Sequence, residues 1–209
     1  MSDSTGKILR KYFRYAIPRV RGVVHIGSHL CQEQSCYEGL KIKNVIWIDG
    51  NIENHIENGH IFINAIVAEN NDKRNFYISD NSNGGSSSLF PFKEILNVYK
   101  GRISVKEIKE VIPETLDGIF LKTGIDRNNY NALIMHTNGS DLLILNGAVD
   151  FLSYLDYIGT YFYWKELYAG VPFEKDVDKY MEGIGFFPRY KLPWKSGYGQ
   201  ALYVRGIAR

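Results

Sequence analysis

The residues able to do chemistry in this chain follow short apolar runs. Val23-Val24-His25-Ile26-Gly27 leads into Ser28 and His29, and Asn44-Val45-Ile46-Trp47-Ile48-Asp49 leads into Gly50 and Asn51. A third run, His60 to Ala68, carries Asn64 and Ala65, and a fourth, Asn131 to Thr137, delivers His136 and then Asn138. A fifth, Asp156 to Trp164, carries Tyr161 and Tyr163. Gly27 lets the backbone approach a ligand closely. Asp49, roughly 20 residues further on, can accept hydrogen bonds from a ribose diol, as acids do in nucleotide sites. The imidazole of His136 titrates near neutrality and so suits a base. Tyr161, Tyr163, Trp164 and Tyr168 either pack against the C–H faces of a sugar ring or fill a core. His25, His29, Cys31 and Cys36 invite a metal reading. Their spacing spans a strand end, a turn and a helix start without the close pairs of a zinc site, so no metal is expected. The two cysteines read as small packing residues.

These residues meet only if the runs are parallel strands of one sheet, since ligands of open parallel sheets bind beyond the carboxyl ends of the strands. The elements between the runs fit that. Helices are expected over 32–41, 52–58, 141–152 and 176–184, with Gly185 as the stop signal of the last. Strands are expected over 74–79 and 103–111, and 187–192 with 200–205 as an antiparallel pair. The fold expected is α/β, a mostly parallel doubly wound sheet with an antiparallel C-terminal edge. Asp80 to Ser88 has no core to bury and reads as a loop, either solvated or laid over the site as a lid.

Bulk properties bound the function. A chain of 209 residues with 44% hydrophobic residues suffices for one domain over 1–209 with no disulfide framework. The net charge of +2, spread along the chain, argues against nucleic acid as the partner. The basic run from Lys7 to Arg21 is interleaved with Leu9, Tyr12, Phe13, Ala16 and Ile17 at helical spacing, giving an N-terminal helical extension over 1–21. No apolar stretch approaches the roughly 20 residues that span a bilayer. With two cysteines and no signal-peptide pattern, a soluble cytoplasmic protein is expected.

Taken in order, the segments resemble the FkbM-type methyltransferases. Val24-His25-Ile26-Gly27-Ser28-His29 is similar to their first cofactor motif, and Trp47-Ile48-Asp49-Gly50-Asn51 to the segment whose acid holds the cofactor ribose. Asn64-Ala65-Ile66, Gly85-Ser86-Ser87-Ser88-Leu89, Thr115-Leu116-Asp117 and the stretch from Met135 to Ala148 are similar to later blocks. Gly199 to Arg205 resembles a closing strand. The resemblance implies a Rossmann-like class I methyltransferase fold using S-adenosylmethionine to methylate a hydroxyl of a sugar, glycan or similar small acceptor. It implies cofactor binding by His25, Gly27, Ser28, His29, Asp49, Asn51, Asn64 and Ala65, and catalysis by His136, Asn138 and Tyr161, with His136 as base. Three positions depart from the pattern: His25, His136 and Tyr161 stand where the family commonly has acids. The competing expectation is therefore a catalytically inactive fold serving as a binding module. A dehydrogenase is disfavoured, because the G-x-G-x-x-G fingerprint is missing. The wealth of Asn, Ile, Lys and Tyr is similar to that of methyltransferases of large DNA viruses.

Overall fold

The computed structural model describes residues 19–206, so all but the last three residues of the N-terminal helical extension expected over 1–21 lie outside the described residues. The apolar runs form the strands expected of them: β1 (Val23–Ile26), β2 (Val45–Asp49), β4 (His60–Asn64), β7 (Ala132–Met135) and β8 (Tyr157–Tyr163). β1, β2 and β7 are buried at nearly every position. A strand covered on both faces requires such continuous apolarity. They run parallel in the order β4-β2-β1-β7-β8. Beyond β8 lie β10 (Tyr198–Arg205) and β9 (Phe186–Trp194), both antiparallel to their neighbours. The sheet is thus mostly parallel with an antiparallel C-terminal edge.

Side chains alternate across it. Val24, Ile26, Ile46, Ile48, Leu133 and Met135 face the core built with α3 (Leu116–Thr123), α4 (Asp141–Asn146) and α5 (Glu174–Gly183). Val23, Val45, Trp47, Ala132 and Ile134 face the opposite core, which takes Cys36 and Tyr37 from α1 (Gln34–Gly39). Winding in both directions from β1 puts the reversal of strand order between β1 and β7.

Residues 52–58 depart from expectation. In place of a helix they hold β3 (His55–Glu57), antiparallel to β4 at the sheet's edge. The cause is the Asn58-Gly59 pair, with φ of 51° and 82°, the conformation of a two-residue hairpin turn matched to strand twist. His55 then stacks on Phe62 at 4.0 Å. The helix expected over 141–152 ends at Asn146. Gly147 follows, and a Cβ there would lie 2.3 Å from the Ala68 carbonyl oxygen, so the chain packs backbone to backbone at that point. A 3₁₀ turn, Phe151–Tyr154, completes the connection. Sequence periodicity does not disclose α2 (Ile95–Val98) or α3.

β5 (Arg74–Ser79) and β6 (Val105–Val111) pair as a separate antiparallel ribbon. The glycine- and serine-rich loop that follows β5 returns over the carboxyl end of the sheet.

Candidate active site

The first strand turn is built around Gly27. Its φ is +75° and a Cβ would lie 2.3 Å from the His136 carbonyl oxygen, so only glycine lets β1 and β7 part this closely. Gly27 N–H donates to the Ile48 carbonyl at 2.9 Å, and His136 N–H to that of Ile26 at 2.9 Å. Three strand ends are thereby fixed at the switch point. Asp49 then clamps two turns: Oδ2 accepts from His29 N–H at 2.8 Å and Oδ1 from Asn51 N–H at 2.9 Å. A carboxylate has roughly four acceptor sites, so half its capacity still faces the space above.

That space is a cleft of about 590 Å³, mouth included, within the range of small-molecule sites. Of the expected cofactor residues, Gly27, His29, Asp49, Asn51 and Ala65 line it, and His136 and Asn138 join them. Ile66, Val67, Phe76 and Leu89 add an apolar wall. Three expected residues stand elsewhere. His25 is wholly buried beneath the turn, stacked on Trp47. Ser28 is buried and its carbonyl accepts from Cys31 N–H. Asn64 gives its amide to the Gly50 and Ile52 carbonyls at 3.1 and 2.6 Å, so it braces the 50–54 segment from outside the cleft.

The loop after β5 roofs the cleft, as the lid reading expected. His29 bonds the Ser82 carbonyl at 2.5 Å, and Asn138 gives its amide to that of Ser87 at 2.9 Å. Ser88 Oγ donates to the Asn138 carbonyl at 2.8 Å. Two of its hydroxyls hold the loop itself together: Ser87 Oγ accepts from Ser79 N–H, and Ser86 Oγ from the Asn81 amide.

A second cavity, about 1090 Å³ with its mouth, opens on the other side of Gly85 and Asn138. Tyr99, Tyr161, Tyr163, Tyr168 and Tyr198 line it, with Arg102 at its wall. Burial pushes the hydroxyls of Tyr161, Tyr163 and Tyr168 above the usual phenol range, so they act as neutral donors. A smaller recess touches both spaces, its wall shared by Gly27, Glu33, His136 and Tyr161.

His136 sits where these spaces meet, its ring stacked on Tyr161 with centroids 5.0 Å apart. Its Nδ1 lies 3.1 Å from His25 Nε2, and its Nε2 lies 3.0 Å from the Gln200 amide nitrogen. His25 Nδ1 in turn lies 3.0 Å from the Tyr37 hydroxyl. Burial pushes His136 down to about 4 and holds His25 well below the usual imidazole range. Both rings are neutral near pH 7. Asp141, also buried, accepts from Thr137 Oγ1, from Thr160 Oγ1 at 2.5 Å and from Tyr161 N–H at 2.9 Å, so one carboxyl fixes the ends of β7 and β8. Burial raises Asp141 above the usual carboxyl range.

Sequence reasoning missed Glu33, Tyr37, Asp141 and Gln200 as parts of the site. A cluster gathers buried His25 and Glu33 with half-buried His136, their ligand-capable atoms within 4.8 Å of one another. Of the four residues weighed from sequence as a metal set, only His25 belongs to it. Burial pushes the Cys31 thiol up to about 11, which makes it unreactive near neutrality.

No family model and no curated protein matches the chain. Among solved structures, one described as an RNA methyltransferase of Pyrococcus horikoshii has a TM-score of 0.45 at 13% identity, over 99% of this chain and 86% of that one. The magnesium protoporphyrin IX methyltransferase of Synechocystis PCC 6803 with bound S-adenosylmethionine gives 0.47 at 10% identity, over 98% and 79%. A protein of Streptococcus pneumoniae described as a tRNA (m1A22) methyltransferase, in complex with S-adenosyl-L-methionine, gives 0.46 at 12% identity, over 97% and 74%.

Proposed function

We propose that the chain is an S-adenosylmethionine-dependent O-methyltransferase of the FkbM type, acting on a hydroxyl of a sugar, glycan or similar small acceptor. One observation carries the reading: a cleft at the switch point, floored by Gly27 and Asp49, shares Asn138 and Gly85 with an aromatic cavity. The residues present fit the cofactor. Asp49 keeps acceptor capacity for a ribose diol, the Gly27 turn admits close approach, and Ala65, Ile66 and Val67 offer an apolar surface to a flat base. The cofactor, when bound, supplies an electrophilic methyl group.

The chain's own residues position the acceptor. The tyrosine-lined cavity gives C–H faces something to pack on and neutral hydroxyls to bond, and such alignment can supply as much as roughly 7–11 kcal/mol of a barrier. Asn138, in the wall common to both spaces, fixes the lid over the junction. His136 lines both the cleft and the recess, and its ring stacks on Tyr161 of the aromatic cavity. It is neutral, so it can accept a proton, but each ring nitrogen already faces a partner. To act as base it must exchange the Gln200 contact for the acceptor hydroxyl.

That occupancy also favours a second reading, an inactive module that binds the cofactor without transferring its methyl group. Calorimetry with S-adenosylmethionine and S-adenosylhomocysteine tests the pocket. Micromolar binding supports either reading, and methyl transfer to hydroxylated acceptors then separates them. Absence of binding at millimolar cofactor would sink both.

A further inference from the structure

We propose that His25, Glu33 and His136 form a binding site for a divalent transition-metal ion, with an open coordination position toward the recess between the two cavities. The donor set comes from three elements. His25 lies on β1, His136 follows β7, and Glu33 heads α1, one helical turn before Tyr37. All three donors lie within 4.8 Å of one another, and Glu33 is only 6% exposed. The 3.1 Å between the two ring nitrogens suits two ligands of one ion. At metal–nitrogen distances of ~2.0–2.1 Å it corresponds to an angle of about 100°. Glu33 must close by about 1.5 Å to reach the ~3.3 Å spacing of tetrahedral ligands, a shift within reach of its side-chain torsions.

The surrounding hydrogen bonds are compatible with ligation. A ligating histidine donates its other ring N–H to an oxygen, which fixes its tautomer. His25 Nδ1 already faces the Tyr37 hydroxyl. His136 Nε2 faces the Gln200 side chain, whose Oε1 is buried without a hydrogen-bond partner while its nitrogen points at the ring. Amide oxygen and nitrogen exchange places by a half-turn of the side chain. After that turn, Gln200 Oε1 accepts from His136 Nε2–H, and the amide nitrogen takes the place the oxygen held. The same turn leaves the lone pair of His136 on Nδ1, 3.1 Å from His25 Nε2. With His25 Nδ1–H donating to the Tyr37 hydroxyl, both facing nitrogens present lone pairs to an ion; without the ion, His25 accepts from Tyr37 at Nδ1 and donates from Nε2–H to His136.

Two imidazoles and a carboxylate favour zinc, iron or cobalt over magnesium or calcium, which prefer all-oxygen shells. The recess is bordered by Glu33, His136 and Tyr161, so a fourth ligand would enter from the side of the aromatic cavity. Use of that position by an acceptor hydroxyl rests on the methyltransferase reading, whereas metal binding does not.

The test is titration of chelator-stripped, full-length protein with Co(II), followed by visible absorption, and with Zn(II) against a chromophoric chelator. One equivalent should bind, with cobalt bands characteristic of nitrogen ligation. Glu33→Gln and His136→Gln should each weaken binding by more than ~10-fold. His55→Gln, on the exposed edge strand, should leave it unchanged. Circular dichroism of each variant separates lost ligands from lost fold. If a variant unfolds, X-ray absorption of the wild-type zinc adduct decides, with two imidazoles per ion expected. Less than a tenth of an equivalent bound to folded wild type, or binding that His55→Gln removes, overturns the proposal. Cofactor binding without metal binding would sink this inference alone, and the converse would sink the methyltransferase reading alone.

Discussion

Asp49 shows how one carboxylate serves structure and chemistry at once. Two of its acceptor sites hold the turns after β1 and β2, and the others face the cleft. Asp49→Ala should therefore abolish cofactor binding by calorimetry and loosen both turns. Asp49→Asn keeps one acceptor oxygen, so it should retain more of the fold and lose at least ~10-fold in affinity, since hydrogen bonds to a charged partner contribute about 1.5–3 kcal/mol. Equal affinity in both variants and wild type would remove Asp49 from the site. Gly27→Ala makes a harsher demand, because the new Cβ meets the His136 carbonyl at 2.3 Å in a backbone with φ of +75°. A loss of about 2–3 kcal/mol in urea unfolding is expected. Residues of this kind were legible in the sequence, since each ends an apolar run. Glu33, Tyr37 and Gln200 were not. His25 and His136 are 111 positions apart, and the burial that brings polar partners around them is a property of the assembled sheet.

At the scale of elements, Thr115-Leu116-Asp117 turns from a motif into a joint. Thr115 Oγ1 caps α3 by accepting from Gly118 N–H at 3.0 Å, and Leu116 is fully buried. Asp117 accepts from Asp150 N–H at 2.8 Å and Phe151 N–H at 2.9 Å, so it holds the 3₁₀ turn that leads into β8. Thr115→Ala should cost about 1 kcal/mol, as cap removal does. Asp117→Ala leaves two donors without their acceptor and should cost about 2–3 kcal/mol. Denaturant unfolding checks both, and the reverse ranking would mean that the cap matters more than the joint. Neither change should alter cofactor affinity, because neither residue lines the cleft. The parallel strands were legible from their continuous apolarity, and so was the closing antiparallel pair. The hairpin at 55–64 replaces the helix expected over 52–58 because Asn58-Gly59 forms a two-residue turn, a signal carried by two residues and not by periodicity. α3 went unread because it is a short helix whose buried face holds only Leu116, Ile119 and Phe120.

Over the whole molecule, the buried histidine pair sets how stability responds to acid. In the metal-free protein, His136 is held down at about 4 against an ordinary value of 6.5, and His25 is depressed in the same direction. Below pH 6.5 the unfolded chain takes up protons that the folded chain refuses. Stability is therefore complete above about 6.5 and falls as the pH drops toward 4. Each histidine contributes a slope of up to ~1.4 kcal/mol per pH unit. Asp141 works the other way, since a raised carboxyl favours the folded state below its unfolded value of 3.8 and loses that contribution as pH rises. Urea unfolding of chelator-treated protein should show stability lower by roughly 2–4 kcal/mol at pH 5 than at pH 7. His136→Gln should flatten the slope in part, because His25 and His60, both depressed by burial, still titrate. Equal stability at the two pH values would mean that the rings are protonated in the folded protein, and with that the buried cluster would lose the lone pairs on which both a base and a metal site depend.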